Sequence, residues 1–244
     1  MKDRFSGHAA DYAKFRPSYP QELIAYLVSL APAHHLAWDC ATGNGQVAGQ
    51  LAAYFAAVVG TDISENQLRN AVQKPNITYK VEQAEQASFA DSSMDLVVVA
   101  QAVHWFEFEL FYQQVKRVLR PEGIIVVISY GLLKINTAID ETIERLYSQT
   151  LNKYWDFERS YIDENYRTIP FPFKELEAPH FAINYSWTIE ELLGYLNTWS
   201  AVKNYQKENN HNPVTMLEQE LWDKWGQQEK LSITFDIITR IGKV

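Results

Sequence analysis

Short apolar, β-branched runs alternate with amphipathic stretches through the first half of this chain. The clearest runs are MDLVVVAQA at Met94–Ala102 and GIIVVISY at Gly123–Tyr130. A strand that is apolar at nearly every position is covered on both faces, as in a parallel sheet with helices on either side. Such runs, separated by stretches of helical length, are typical of βαβ units. The sequence therefore predicts a doubly wound α/β sheet that is mostly parallel.

The same patterns assign elements along the rest of the chain. Strands are predicted at Leu36–Ala41, Ala57–Ile63, Ile77–Ala84, Met94–Ala102, Gly123–Tyr130, His180–Trp187 and Leu231–Ile241, the last of them antiparallel to the sheet. Helices are predicted at Gln46–Phe55, Ser64–Gln73, Phe106–Leu119, Asn136–Tyr154, from Thr188 to about Gln206, and at Asn212–Trp225. Ser64 with Gln67, and Thr188 with Glu191, have the spacing of capping boxes. Residues 155–180 are rich in proline and aromatic residues, and we expect them to be irregular.

Net charge, cysteine count and the length of apolar runs limit the partners and the location that we expect for this protein. The net charge is -8, and an acidic protein repels a phosphate backbone, so we expect no nucleic acid partner. The single cysteine, Cys40, excludes an internal disulfide. The N-terminus has no apolar signal core, and no stretch reaches the ~18 apolar residues that a membrane helix needs. We therefore expect a soluble, cytoplasmic protein without a membrane partner.

A glycine turn follows the first predicted strand and marks a candidate ligand site. In an open α/β sheet, ligands bind at the carboxyl ends of the strands, where Gly43 and Gly45 lie. Gly43-x-Gly45-x-x-Ala48 also fits a dinucleotide fingerprint, with Asp62 after the second strand in position for ribose hydroxyls. The glycine pattern could therefore bind a dinucleotide, bind another ligand, or form a structural turn that binds no ligand. Asp39 disfavours a pyrophosphate, because like charges would meet in a partly desolvated cleft, and it favours a cationic ligand.

These segments resemble the cofactor motifs of the class I S-adenosylmethionine-dependent methyltransferases. The resemblance covers residues 35–131 and lies in Asp39-x-x-x-Gly43-x-Gly45, Asp62, Gln83-Ala84-Glu85, Phe89-x-x-x-x-Met94-Asp95-Leu96-Val97-Val98 and Arg117-Val118-Leu119-Arg120-Pro121-Glu122-Gly123. It implies a Rossmann-like, seven-stranded sheet with helices on both faces. It also implies that S-adenosylmethionine is the cofactor and S-adenosylhomocysteine the product.

For the nucleoside end of the cofactor, the resemblance implies roles at five positions. Asp62 would bind both ribose hydroxyls, and Ile63 would pack on the adenine. Ala84 would offer its backbone amide to the adenine, and Gln83 would meet the exocyclic amine. Glu85 is the last residue of the Gln83-Ala84-Glu85 segment, which is the third cofactor motif along the chain. The family usually has an acid where Gln83 stands, but an amide oxygen can also accept a hydrogen bond.

For the methionine end, the resemblance implies that Asp39, Ala41 and Gly43 lie beside the amino acid part of the cofactor. Gln101, after the fourth strand, would lie near the same part. The family often has glycine where Ala41 stands, which is a small change.

Two further segments resemble the branch of this family that contains trans-aconitate-type methyltransferases. They are Tyr12-x-x-x-Arg16-Pro17-x-Tyr19-Pro20 and Gln101–Phe106. In that branch the N-terminal segment folds over the cofactor, which implies that Arg16 pairs with the cofactor carboxylate and that Tyr12 lies beside it. The alternative for Tyr12 and Arg16 is a stacked pair on the surface.

On this basis we expect one domain over residues 1–244. Its parts would be an N-terminal lid at 1–30, the cofactor-binding core at 31–131, a helical substrate-lid insertion at 132–229 and a final strand at 230–244.

His104 is the candidate catalytic residue, because it falls at the carboxyl end of the fourth strand and a histidine near neutral pKa can accept a proton. The alternative is that His104 only shapes a substrate pocket beside Trp105. A carboxylate acceptor would need no base but a cation, for which the candidates are Arg16, Lys134, Arg159, Arg167 and Lys203. No residues have convincing metal-ligand spacing.

The sequence thus favours methyl transfer to an oxygen or nitrogen of a small molecule, including a carboxylate oxygen. An RNA or protein methyltransferase on the same fold is an alternative, and a non-catalytic cofactor-binding or scaffold protein is another. Asp39 and the segments after the third and fourth strands oppose an NAD-dependent oxidoreductase.

Overall fold

The computed structural model describes residues 17–244, and the predicted Tyr12 and Arg16 therefore lie outside the described residues. Its strands are β1 (Leu36–Cys40), β2 (Ala57–Asp62), β3 (Ile77–Val81), β4 (Met94–Ala100), β5 (Leu119–Tyr130), β6 (Lys174–Leu176), β7 (Ala182–Trp187) and β8 (Leu231–Lys243). Its α-helices are α1 (Gln21–Leu30), α2 (Gln46–Leu51), α3 (Glu65–Arg69), α4 (Phe108–Val118), α5 (Thr137–Arg145), α6 (Ser160–Asp163), α7 (Ile189–Leu196), α8 (Ser200–Asn209) and α9 (Glu218–Trp225).

The strands form one mixed sheet in the order β3-β2-β1-β4-β5-β8-β6, and β7 pairs with the other half of β8. The pairings among β1 to β5 are parallel, whereas β8 runs antiparallel to β5. The strand order reverses between β1 and β4, which is where open α/β sheets bind their ligands. The predicted fold class is confirmed. The sheet has eight strands because β6, in a segment predicted to be irregular, pairs with the end of β8.

Alternate residues of β5 face two separate halves of the core, which explains its continuous apolar run. Val126 belongs to the cluster that contains Leu23 of α1, and Val127 belongs to the cluster that contains Phe111 of α4. Each side chain is buried against helices on its own face of the sheet. Helix α1 thus packs into the core, although its residues fall in the range expected to form the N-terminal lid.

The capping box predicted at Thr188 is confirmed, whereas Ser64 caps its helix as predicted but its own backbone amide donates to Asp62 rather than to Gln67. Thr188 and Glu191 form a reciprocal capping box at α7. At α3, the Ser64 side chain accepts a hydrogen bond from the backbone amide of Gln67. Each contact satisfies a backbone amide that has no partner within its helix.

The helix predicted from Thr188 to about Gln206 is wrong as one element, because the chain breaks between α7 and α8. The hydroxyl of Thr198 donates to the carbonyl of Tyr195, and the Asn197 side chain donates to that of Leu193. Trp199 then takes an extended conformation and is buried. Burial of its large aromatic side chain outweighs the continuation of the helix.

The helix predicted at Asn136–Tyr154 is also wrong in its second half, because α5 ends at Arg145. A π-helical turn follows, and there Tyr147 packs against the ring of Trp155 at a centroid distance of 4.8 Å. The indole of Trp155 donates to the Tyr147 carbonyl. This local aromatic packing redirects the chain.

Similarly, α9 starts later than predicted, because the Asn212 side chain accepts from the amide of Val214 and forms a turn.

Within residues 17–244, no helix combines the length and the apolar character needed to cross a membrane.

One buried carboxylate ties the starts of three strands together. Asp95 of β4 is 0% exposed, and its Oδ2 accepts hydrogen bonds from the amides of His35 and Leu36 at 2.8 and 2.9 Å. Its Oδ1 accepts from the guanidinium of Arg120 at 2.7 Å. These contacts join β4 to the beginning of β1 and to β5.

We predict that Asp95→Ala lowers the free energy of unfolding by about 3 kcal/mol, because it leaves two amides and a guanidinium without their buried acceptor. The control is Asp91→Ala, whose carboxylate is 77% exposed and pairs with Arg117. An exposed pair contributes less than ~1 kcal/mol. Urea unfolding of both variants measures the difference, and equal losses would contradict the prediction.

Candidate cofactor and acceptor site

Asp39 near the end of β1 is 1% exposed, and its buried carboxylate accepts hydrogen bonds from both sides of the glycine turn. Its Oδ2 accepts hydrogen bonds from the Thr42 hydroxyl and from the Ala48 amide, the latter at 2.8 Å. Burial raises the pKa of Asp39 to about 7, although the two hydrogen bonds oppose this, and the neighbouring charge of Asp62 adds to the increase. The carboxylate thus connects the two sides of the turn.

The turn itself runs through the left-handed region of backbone conformation. The φ angles are 55° at Ala41, 56° at Gly43 and 75° at Gly45. A Cβ atom at Gly45 would collide with the hydroxyl of Tyr79, whereas a Cβ atom at Gly43 would have no atom within 4 Å. Gly45 is therefore required by packing, and Gly43 borders open space in which a ligand has room.

Asp62 at the end of β2 lies directly against this turn. Its Oδ2 accepts from the Gly43 amide at 2.9 Å, and its Oδ1 accepts from the Ser64 amide at 2.8 Å. A carboxylate oxygen can accept more than one hydrogen bond, which is the chemistry that ribose hydroxyl groups need. The structure thus brings together Asp39, Gly43 and Asp62, as the sequence predicts.

The residues of the third motif follow β3, which is the neighbour of β2. Ala84 is buried and Gln83 is exposed, while Ile63 after β2 is half-buried. The Glu85 carboxylate accepts a hydrogen bond from the Glu107 amide at 3.0 Å, just before α4 begins. Glu85 therefore links this motif to the segment that follows β4.

Gln101 lies at the end of β4, beside β1. Its φ is 55°, which is a left-handed backbone conformation. Ala41, after the neighbouring strand β1, has the same conformation although it is also not a glycine. The Oε1 of Gln101 accepts from the Ser129 hydroxyl at 2.8 Å, and its backbone amide donates to the carbonyl of Ile128. Strained residues of this kind cluster at functional sites.

His104 is 6% exposed, and its Nδ1 lies 2.9 Å from the Tyr166 hydroxyl, within hydrogen-bond distance. Burial lowers the pKa of His104 to about 3, and the positive charge of Arg159 acts in the same direction. The imidazole is therefore neutral at physiological pH and a weak base. The ring of Trp105 lies 5.1 Å from that of His104.

Sequence patterns gave no indication of Tyr166, because it lies in the aperiodic segment 155–180. It is 0% exposed and has a φ of 58°. Its left-handed backbone is a structural signal that only coordinates can supply.

A cavity of about 70 Å³ lies between the end of β4 and the segment predicted as the substrate-lid insertion. Gln101, His104 and Trp105 line one side. The other side is lined by Trp155, Asp156, Arg159, Ile162, Tyr195, Trp199 and Ser200. Aromatic walls with a few polar groups are typical of sites for small organic ligands.

Of the cations proposed from sequence, Arg159 lines this cavity. Lys134 instead pairs with Asp236, and Arg167 is exposed. Among residues 17–244, no group of three or more His, Cys, Asp or Glu side chains could hold a metal ion.

Comparison with known proteins gives consistent results. Residues 38–127 match the family described as a methyltransferase domain. A Dictyostelium discoideum protein named as a methyltransferase is 32% identical, and the match covers 99% of this chain and 95% of that protein. A solved structure from Anaeromyxobacter dehalogenans, described as a type II methyltransferase, is 38% identical with a TM-score of 0.88 and covers 94% of this chain and 98% of its own. A Saccharomyces cerevisiae protein named as an S-adenosylmethionine-dependent methyltransferase is 26% identical over 66% of this chain and 57% of its own length.

We predict that Ala41→Gly raises the free energy of unfolding by up to about 1 kcal/mol. Glycine relieves the left-handed strain, while its greater freedom in the unfolded chain offsets part of the gain. The matched control is Ala138→Gly on the exposed surface of α5, which should lower stability by roughly 0.5–1 kcal/mol. Chemical denaturation compares the two, and changes of the same sign would refute the strain argument.

We also predict that the His104 imidazole stays neutral as the pH falls through 6.5 and takes up a proton only near its pKa of about 3. The unfolded chain binds this proton near pH 6.5, so His104 contributes stability that is lost as the pH falls from 6.5 towards 3. Imidazole ¹⁵N chemical shifts across this range report the charge directly. Titration near pH 6.5 in the folded protein would show that the ring is solvated.

Proposed function

The chain belongs to the class I S-adenosylmethionine-dependent methyltransferases, and on that premise we propose that it methylates an oxygen or nitrogen atom of a small molecule. The observation that carries this proposal is the aromatic cavity between Gln101 and the insertion. A cavity lined by aromatic side chains and a few polar groups suits a small acceptor. An RNA acceptor would favour a basic surface, and this chain has a net charge of -8.

We propose that the cofactor lies over the glycine turn, where the open space beside Gly43 supports this placement. When bound, S-adenosylmethionine supplies a methyl group on a cationic sulfur that departs as a neutral thioether. Asp62 would hold the ribose hydroxyls, with Ile63 and Ala84 beside the adenine. Asp39 would stabilise the α-ammonium group of the amino acid part electrostatically, from within the turn.

The chain's own contribution to the reaction would be alignment and exclusion of water. An in-line displacement needs the nucleophile about 3–3.5 Å from the methyl carbon, held in a dry site. Gln101 is tied to Ser129 and His104 to Tyr166, so two side chains on one side of the cavity are held in place. We place His104 as a group that positions the acceptor through hydrogen bonding, because its lowered pKa makes it a weak base. This favours an acceptor atom that needs no strong base.

The segment 132–229 is proposed as the substrate-lid insertion, since it supplies Trp155, Arg159 and Trp199 to the cavity wall. The remaining wall comes from the cofactor-binding core, so the acceptor would be held between these two parts of one domain.

We predict that Asp62→Asn weakens S-adenosylmethionine binding on the order of 30-fold, because charge-assisted hydrogen bonds to the ribose become neutral ones. Calorimetric titration with S-adenosylmethionine, S-adenosylhomocysteine and NAD measures the affinities. Asp91→Asn, an exposed carboxylate far from the turn in sequence and paired with Arg117, is the control.

Tight binding of the first two ligands with no binding of NAD is the expected pattern. Unchanged affinity in Asp62→Asn with a folded protein would refute the proposed placement. Methylation of RNA or of a protein, with no turnover of acids, phenols or amines, would refute the small-molecule acceptor.

A further inference from the structure

A series of buried polar side chains runs behind the cavity wall and ends on His104. Tyr166 and Ser129 are each 0% exposed. The Tyr166 hydroxyl lies 2.9 Å from Nδ1 of His104, and it also forms a hydrogen bond with the Ser129 side chain. The Ser129 hydroxyl in turn donates to Oε1 of Gln101 at 2.8 Å. These contacts join the end of β4, the end of β5 and the segment 155–180 through one hydrogen-bonded series.

The direction of each hydrogen bond in this series is set at Gln101. The amide nitrogen of its side chain donates to the carbonyl of Tyr130 at 3.3 Å, and a carbonyl can only accept, so the other amide atom, Oε1, faces Ser129. Ser129 therefore donates to Gln101, and because a hydroxyl has one hydrogen, its oxygen can only accept from Tyr166. Burial raises the pKa of Tyr166, so the phenol keeps its proton. That proton is directed to Ser129, and the Tyr166 oxygen accepts from the Nδ1–H of His104.

This order of donors leaves the second ring nitrogen of His104 as a hydrogen-bond acceptor. A neutral imidazole carries one N–H. With that hydrogen on Nδ1, Nε2 has a lone pair and has no hydrogen-bond partner among residues 17–244. The imidazole is buried and lines the cavity. Because a buried acceptor without a donor is unfavourable, a ligand in the cavity gains by donating to Nε2.

The last strand of the sheet holds Tyr166 in this position. Arg240 of β8 donates to the backbone carbonyls of Tyr166 and Ile169 at 2.9 and 2.7 Å. Its guanidinium also pairs with Glu175 and lies 4.4 Å from the centre of the Phe171 ring. These contacts maintain the left-handed backbone of Tyr166, whose φ is 58°. Support of this kind keeps a residue of a site in one orientation.

The charges near His104 restrict the ligand further. The positive charge of Arg159 acts on the imidazole although Arg159 is paired with Asp163, and a cationic ligand at Nε2 would meet the same repulsion. An anion such as a carboxylate would bring its own lone pairs against that of Nε2, with no proton between them. An uncharged group that carries an N–H or O–H therefore fits this position best.

We propose that Tyr166 is a positioning residue that holds His104 with Nε2 as a hydrogen-bond acceptor, and that this arrangement selects methyl acceptors with an uncharged N–H or O–H group. The indole rings of Trp105, Trp155 and Trp199 in the cavity wall suit an acceptor that carries this group on an aromatic ring. This inference rests on the proposed small-molecule function and names the class of its acceptor.

The transfer step balances without a protein base. A lone pair of the acceptor nitrogen or oxygen forms the bond to the methyl carbon while the bond between that carbon and sulfur breaks, and the electron pair of the broken bond stays on sulfur. The proton of the acceptor group passes to solvent, because His104 is too weak a base to keep it. Nε2 thus orients the acceptor through its hydrogen.

The first measurement is the protonation of each His104 nitrogen, read from imidazole ¹⁵N chemical shifts of the full chain with S-adenosylhomocysteine bound near neutral pH. We expect Nδ1 to be protonated and Nε2 to be unprotonated. In Ser129→Ala the Tyr166 hydroxyl loses the acceptor for its proton and can donate to Nδ1, so we expect the hydrogen to move to Nε2. Tyr161→Phe is the matched control on the same segment. The Tyr161 ring packs on Phe108, and its substitution should leave both nitrogens unchanged.

The second measurement is calorimetric titration of the same complex with phenol, aniline and indole. Each is compared with anisole, N,N-dimethylaniline or 1-methylindole, which have the same ring without the donor. We expect the donors to bind more tightly, and Tyr166→Phe to reduce this preference on the order of tenfold, because the His104 hydrogen is then free to occupy either nitrogen. Tyr161→Phe should keep the preference. Benzoate and benzylammonium, an anion and a cation, should bind more weakly than phenol.

Affinity for S-adenosylhomocysteine is measured in every variant, so that loss of the cofactor site is distinguished from loss of the acceptor site. Absence of that affinity in the unmodified protein would contradict the proposed function itself. With the cofactor product bound, a hydrogen on Nε2 of His104 would overturn the inference. Tighter binding of benzoate than of phenol and aniline would also overturn it, as would an unchanged preference in a folded Tyr166→Phe. If Tyr166→Phe does not fold, the ¹⁵N shifts of the unmodified protein and of Ser129→Ala decide.

Discussion

The buried carboxylate of Asp39 holds the shape of the turn on which the cofactor side of the site depends. It accepts from the Thr42 hydroxyl on one side of the two glycines and from the Ala48 amide on the other. The chain between these points passes through left-handed conformations at Gly43 and Gly45, and Ala41, directly before Thr42, has one that strains an L-residue. Without the carboxylate, the Ala48 amide would be buried without this acceptor, so packing and hydrogen bonding both fix the turn.

The same carboxylate gives this end of the sheet its electrostatic character. Asp39 and Asp62 lie at the ends of neighbouring parallel strands, and the charge of Asp62 adds to the increase in the pKa of Asp39 that burial causes. A ligand with positive charge offsets this repulsion, whereas a pyrophosphate would increase it. The glycine pattern alone fits either ligand, and Asp39 is the residue that favours the sulfonium cofactor on physical grounds.

How much could be predicted from sequence differs between the two halves of the molecule. The five parallel strands were predicted with their order along the chain because apolar runs such as Gly123–Tyr130 are set by burial on both faces. In the insertion, the helices predicted through Tyr154 and Gln206 are interrupted where Tyr147 and Trp199 turn inward to pack on other aromatic rings. The contact between Tyr147 and Trp199 joins residues distant in sequence, which periodicity does not encode.

The candidate site divides in the same way, because its two sides are built from contacts of different range. Asp39, Gly43 and Asp62 lie within 24 residues of chain, and one strand–turn–helix–strand unit contains all three. The proposed acceptor side depends on the contact between the His104 ring and the Tyr166 hydroxyl. The carbonyl of Tyr166 accepts a hydrogen bond from Arg240 of β8 at 2.9 Å. Arg240 also pairs with Glu175, so the last strand of the sheet sets where the wall of the acceptor cavity lies. Under the proposed function, selectivity for the acceptor can vary through residues 132–229 and β8 while the glycine turn stays the same, which is how one fold serves many substrates.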